Sequence, residues 1–91
     1  MLSKRQRALY DAFYDSTHDN EFLDTKTEIL VGLSAAMGMN CEPCTRYYLD
    51  KAHEAGIEES FIAEVLAKVM AVAAGQKRLQ LQATLNDMKK S

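Results

Sequence analysis

Two cysteines separated by two residues give this sequence its clearest means of doing chemistry. They lie in Asn40-Cys41-Glu42-Pro43-Cys44-Thr45-Arg46-Tyr47-Tyr48, a stretch that holds the only two cysteines and the only proline. Thiols at this spacing can close a small disulfide ring with little backbone movement. The pair follows a break, Gly38-Met39-Asn40, and opens a helical pattern, so Cys41 and Cys44 are predicted in or beside the first turn of a helix. Unpaired backbone N–H groups and the positive end of the helix dipole stabilise a thiolate there. Pro43 is tolerated in that turn because its missing N–H would have had no partner. Together these features describe a redox dithiol. The same spacing is also half of a zinc site, but such a site needs about four ligands. Only His18 and His53 remain, neither at a familiar spacing. No metal or other cofactor is therefore expected, with a zinc shared between subunits left open.

The elements that must position the thiols belong to one domain spanning residues 1–91. A chain of this length buries only about 60–65% of its unfolded surface, and a second copy is a common remedy. Apolar residues make up 47% and charged residues 26%, ordinary values for a globular domain. The net charge of −2 comes from interleaved acids and bases, which leaves no basic face for nucleic acid. No apolar run follows Met1-Leu2-Ser3-Lys4-Arg5-Gln6-Arg7, and the longest apolar run, Ile29 to Met39, is too short for a membrane span. These features predict a cytoplasmic protein without a membrane partner. In that compartment a close cysteine pair is more often catalytic or metal-binding than a structural staple.

The periodicity is helical throughout. A first helix is predicted from about Ser3 to Ser16, with Ser3 and Gln6 as a capping box and Ala8, Leu9, Ala12 and Phe13 as its apolar stripe. Thr17-His18-Asp19-Asn20 reads as a polar turn. A second helix, about Thr25 to Met37, is apolar nearly all round and is expected in a core or at a subunit interface. Its Gly32, Ser34, Ala35 and Ala36 would let a neighbouring helix come close. Thr25 and Glu28 form a second candidate capping box. The third helix carries the cysteines to about Ala55, with Gly56 placed to end it in the left-handed conformation. Phe61, Ile62, Val65, Leu66, Val69, Met70 and Ala73 mark a fourth helix. Gly75 breaks that pattern, and Leu81, Leu85 and Met88 lie on one stripe of a fifth.

In this order and spacing the residues resemble the carboxymuconolactone decarboxylase and alkyl hydroperoxidase D-like superfamily. The matching stretches are Leu23-Asp24-Thr25-Lys26-Thr27-Glu28-Ile29-Leu30, Cys41-Glu42-Pro43-Cys44, and Ala52-His53-Glu54-Ala55-Gly56-Ile57-Glu58-Glu59 with the apolar helix after it. The resemblance covers roughly Phe22 to Gly75. It implies an all-α domain of about five helices, assembled into homotrimers or hexamers. It also implies reduction of a peroxide or disulfide at the expense of a dithiol donor. In that scheme Cys44 attacks and passes through a sulfenic acid, Cys41 resolves it to a Cys41–Cys44 disulfide, and Glu28 relays protons. Two positions depart from the family pattern. Tyr48 stands where the redox branch has histidine, and Glu28 lies thirteen residues before Cys41 where the pattern has twelve. A tyrosine, which ordinarily ionises near pH ~10, is a poor base near neutral pH, although its hydroxyl can still hydrogen-bond a thiolate.

Each residue also has a plainer use. Glu28 reads equally as the closing residue of a cap with Thr25 and as a proton relay. His53 is nine residues after Cys44, on the opposite side of the helix, and reads as a solvent-facing or helix-end histidine. Tyr47 and Tyr48 read first as packing aromatics, with Tyr48 one turn from Cys44 and within its reach. Two functions therefore stand. One is a thiol–disulfide oxidoreductase with peroxidase activity in an antioxidant role, using Cys44, Cys41, Glu28 and Tyr48. The other is a non-catalytic helical oligomer, a binding or structural module whose cysteines form a redox-sensitive clasp.

Overall fold

A computed structural model of the chain describes residues 1–90. They form four helices: α1 Lys4–His18, α2 Thr25–Gly38, α3 Glu42–Glu54 and α4 Glu59–Lys90. The all-α expectation holds, with four helices instead of about five. The difference lies at Gly75, where no break occurs. A glycine inside a helix costs only about 1 kcal/mol relative to alanine. Ala71, Ala73 and Ala74 before it and Gln76-Lys77-Arg78-Leu79-Gln80 after it are mostly strong helix formers, and they carry α4 through.

The helix ends follow from short-range side-chain chemistry. Ser3 and Gln6 form the expected capping box at α1. That helix continues two residues past Ser16, with the hydroxyls of Ser16 and Thr17 donating back to the carbonyls of Phe13 and Tyr14. His18 is thus the last residue of α1. The cap of α2 is Asp24, whose carboxylate accepts the Thr27 N–H at 2.7 Å. That bond holds the Asp24 carboxyl below the usual range. Glu28 is therefore released from capping.

The ends of α2 and α3 repeat one motif. At α3, the Gly56 N–H donates to the His53 carbonyl at 3.1 Å and the Ile57 N–H to the Ala52 carbonyl at 2.9 Å, with Gly56 left-handed at φ 71°. At α2, the Asn40 N–H donates to the Met37 carbonyl at 3.1 Å and the Cys41 N–H to the Ala36 carbonyl at 2.9 Å, with Asn40 left-handed at φ 56°. Both are Schellman ends, one with the preferred glycine and one with asparagine. The turn at Asn40 folds α3 back along α2 as an antiparallel hairpin.

The buried residues are Ile29, Leu33, Ala36, Ala52 and Ile57. Ile29, Ala52 and Ile57 pack together, with Leu30 and Ile62 against them. Small residues let the hairpin close: the Tyr48 ring of α3 lies directly on Gly32 of α2, with no room for a Cβ there. The N-terminal part of α4 covers α2. The apolar stripe of α1 and the second half of α4 stay exposed, including Leu9, Phe13, Leu79, Leu81, Leu85 and Met88. The radius of gyration is 17.7 Å, whereas a compact chain of this length has about 12 Å.

Candidate dithiol site

Cys41 belongs to two structures at once. It is the last residue of the α2 Schellman end and the N-cap of α3. Its carbonyl accepts the Thr45 N–H and the Thr45 hydroxyl, each at 2.9 Å. Its sulfur accepts the Cys44 N–H at 3.4 Å. With both ends of the residue held, the sulfur has little freedom. Pro43 sits in the first turn, where no N–H is missed. Cys44 follows as the third residue of α3, still within reach of the helix dipole. The two sulfurs are joined in a disulfide across a Cα–Cα distance of 5.3 Å, within the usual 4.4–6.8 Å.

The thiols differ in surroundings. Cys44 is exposed and Cys41 half-buried. Cys41 lines an open groove of about 780 Å³ between the hairpin and α4. Its walls are apolar at Met37, Leu49, Leu66 and Met70, with Glu42 and Arg46 at the rim. Those two form an ion pair at 2.6 Å. Among the described residues, no three His, Cys, Asp or Glu side chains converge as a metal site would require.

Glu28 lies away from the disulfide, toward the other end of the hairpin. Glu28, Gly32 and Ala36 share one stripe of α2, and Cys41 is hydrogen-bonded at the Ala36 end. The Glu28 carboxylate accepts His18 Nδ1 at 3.2 Å. Tyr48 lies between these ends, its ring on Gly32. Its hydroxyl is pushed up to about 12, first by burial and then by hydrogen bonding to Tyr14 and by the nearby charge of Glu28. The hydroxyl that sequence reasoning offers to a thiolate is therefore engaged with α1. Among the four tyrosines, a spectrophotometric titration should show Tyr48 ionising last, a step that Tyr48→Phe removes. Because the folded value lies above the unfolded one, Tyr48 contributes stability fully present below about pH 10 and lost as pH rises toward about 12. Stability that stays flat across that window would rule this environment out.

His18 does not sit in a polar turn, as its sequence neighbours predict. The structure places it half-buried against Glu28, 4.6 Å from the Tyr14 ring and 6.1 Å and 6.4 Å from those of Tyr47 and Tyr48. Its signal in the sequence is the Tyr10, Tyr14, His18 spacing, an aromatic stripe continued by one more turn. His53 is exposed, as expected.

The fold is shared with known proteins. A family model, the carboxymuconolactone decarboxylase family, matches residues 6–85. The chain belongs to that family. A solved structure of a Methanobacterium thermoautotrophicum protein has the same fold, with a TM-score of 0.81 and 24% identity, over 87% of this chain and 89% of that one. No curated protein shows significant similarity. The family match reaches well beyond the Phe22 to Gly75 stretch that carries the resemblance, taking in most of α1 and much of the second half of α4.

Proposed function

We propose that this member of the carboxymuconolactone decarboxylase family is a CxxC-dependent thiol–disulfide oxidoreductase, with hydroperoxides among its substrates. The observation that carries the reading is the placement of Cys41 and Cys44, bonded to each other where α3 begins. In the reduced chain the Cys44 thiolate attacks the outer oxygen of a hydroperoxide. The O–O bond breaks, the alcohol leaves with a proton, and Cys44 becomes a sulfenic acid. The Cys41 thiolate then attacks that sulfur. An S–S bond forms and hydroxide departs, protonated to water. A dithiol donor closes the cycle by exchange: its two thiols become a disulfide while Cys41 and Cys44 regain their hydrogens. A disulfide substrate is reduced by the same exchange in the opposite direction. Glu28 is the proposed proton relay and Tyr48 shapes the path to it. A cytoplasmic setting, where thiol pools are reducing, suits this cycle. No described helix is long and apolar enough to cross a membrane.

The test is a peroxide- and disulfide-reduction assay with a dithiol donor, run beside Cys44→Ser. Turnover in the wild type and none in the variant is the expected result. A disulfide that opens and closes reversibly without any turnover would favour the clasp instead. Replacement of the family histidine by Tyr48 is the observation that favours that second reading.

The working unit is proposed to be a homo-oligomer, a trimer or hexamer. The accessible surface is 7585 Å² for a chain of 10.2 kDa. A compact monomer of that mass exposes about 5,300 Å². The excess of about 2,300 Å² per chain is on the scale of an obligate interface. Sedimentation at micromolar concentration should therefore show a multiple of 10.2 kDa. A stable monomer there would overturn the assignment.

A further inference from the structure

His18 stands where three helices meet. Its ring is held at Nδ1 by the Glu28 carboxylate, while Nε2 is buried with no hydrogen-bond partner among the described residues. With Nδ1 donating to the carboxylate, Nε2 of the neutral ring carries the lone pair. A carboxylate-held imidazole with its second nitrogen free is an arrangement suited to taking up and releasing protons. The ring lies against Tyr47 and Tyr48. These are the third and fourth residues after Cys44, on the part of α3 one turn from it.

We propose that His18, oriented by Glu28, handles the proton of the dithiol, acting on Cys44 across Tyr48 and intervening water. It is a positioning residue and does not touch the sulfur. The proposal deepens the oxidoreductase reading and rests on it. Fastening α1 to the hairpin would need only the Nδ1 contact. Burying an unpartnered ring nitrogen carries a desolvation cost that an apolar side chain at this position would avoid. The groups facing the imidazole are Tyr14 from α1, Glu28 from α2, and Tyr47 and Tyr48 from α3. Lys51 lies over the Tyr47 ring at 5.4 Å. Tyr48 stays protonated through the neutral range.

Coupling between two titrating groups is reciprocal, so the state of the dithiol must move the titration of His18. The wild-type chain is titrated by NMR of its two imidazoles, once with the disulfide closed and once reduced. A thiolate at the start of α3 favours the imidazolium, so the His18 midpoint should lie about 0.3–1 pH unit higher in the reduced form. His53, exposed on α3, is the internal control and should hold still. Equal His18 midpoints in the two redox forms overturn the proposal, whatever the variants do. In a second arm, reduced protein is alkylated with iodoacetamide across pH 5–9. Losing the imidazolium raises the thiol pKa, so His18→Gln should slow alkylation near pH 6–7 by about 2- to 10-fold. Glu28→Gln should act in the same direction. A lower melting temperature with an unmoved alkylation profile would make His18 a fastener of α1 only, against the proposal. Neither arm needs enzymatic turnover. A moved His18 midpoint in a chain that reduces no peroxide or disulfide would refute the oxidoreductase reading and leave the proton coupling standing.

Discussion

Cys44→Ser and Cys41→Ser are expected to fail in different ways. Cys44→Ser should abolish consumption of both peroxide and disulfide, because it removes the exposed sulfur proposed to make the first bond. Cys41→Ser should keep that first step and lose the second. One equivalent of peroxide would then convert Cys44 to a sulfenic acid that persists, detectable by mass after trapping. Steady turnover should fall to background in both variants. The geometry argues for this order. Cys44 meets solvent, whereas Cys41 is half-buried and tied by its backbone to Ala36 and Thr45. A sulfur that must wait for its partner to be oxidised gains from being held in place. Both sulfurs can nonetheless carry negative charge at the start of α3, Cys41 with the help of the Cys44 N–H. A trapped sulfenic acid on Cys41 in the Cys44→Ser variant, with none on Cys44 in Cys41→Ser, would reverse the assignment.

Gly32→Ala should weaken the fold at the centre of the hairpin. An added Cβ would occupy space held by the Tyr48 ring. That ring has nowhere easy to go, with His18 and Tyr47 around it and its hydroxyl engaged with Tyr14. Overpacking of this kind costs about 1–3 kcal/mol. For a domain of this size, each kcal/mol lowers the melting temperature by roughly 4–8 °C. Alanine's better helix propensity offsets about 1 kcal/mol at most. Denaturant unfolding at fixed protein concentration measures the change, since assembly contributes to apparent stability. The companion variant Tyr48→Ala removes the obstacle, and Gly32→Ala made in that background should then be neutral or stabilising. Equal cost in both backgrounds would mean that Gly32 does not serve the Tyr48 contact.

Where one residue acts on another three to five positions away, the chain could be read directly. The Ser3–Gln6 box, the left-handed Gly56, and the thiols opening α3 are all of this kind. Each rests on backbone bonds within a single turn, whose geometry is the same in any fold. The closeness of α2 and α3 was partly legible too, because Gly32 and Ala36 leave room for a neighbour. Local competition was harder to judge. Asp24 takes the α2 cap ahead of Thr25, and Gly75 is carried inside α4 by its helix-forming neighbours. These are choices between alternatives of about 1 kcal/mol, and several residues settle them together.

The surroundings of Glu28, Tyr48 and His18 belong to a different class. Glu28 meets His18 only because α1 ends where the hairpin begins, and the Tyr48 hydroxyl leaves the thiols only because Tyr14 stands across from it. No periodicity encodes such meetings, since they depend on how whole helices dock. Spacing of a few residues specifies which groups share a turn, and so the dithiol could be read from the chain. The docking of α1 against the hairpin set which groups surround Glu28 and Tyr48.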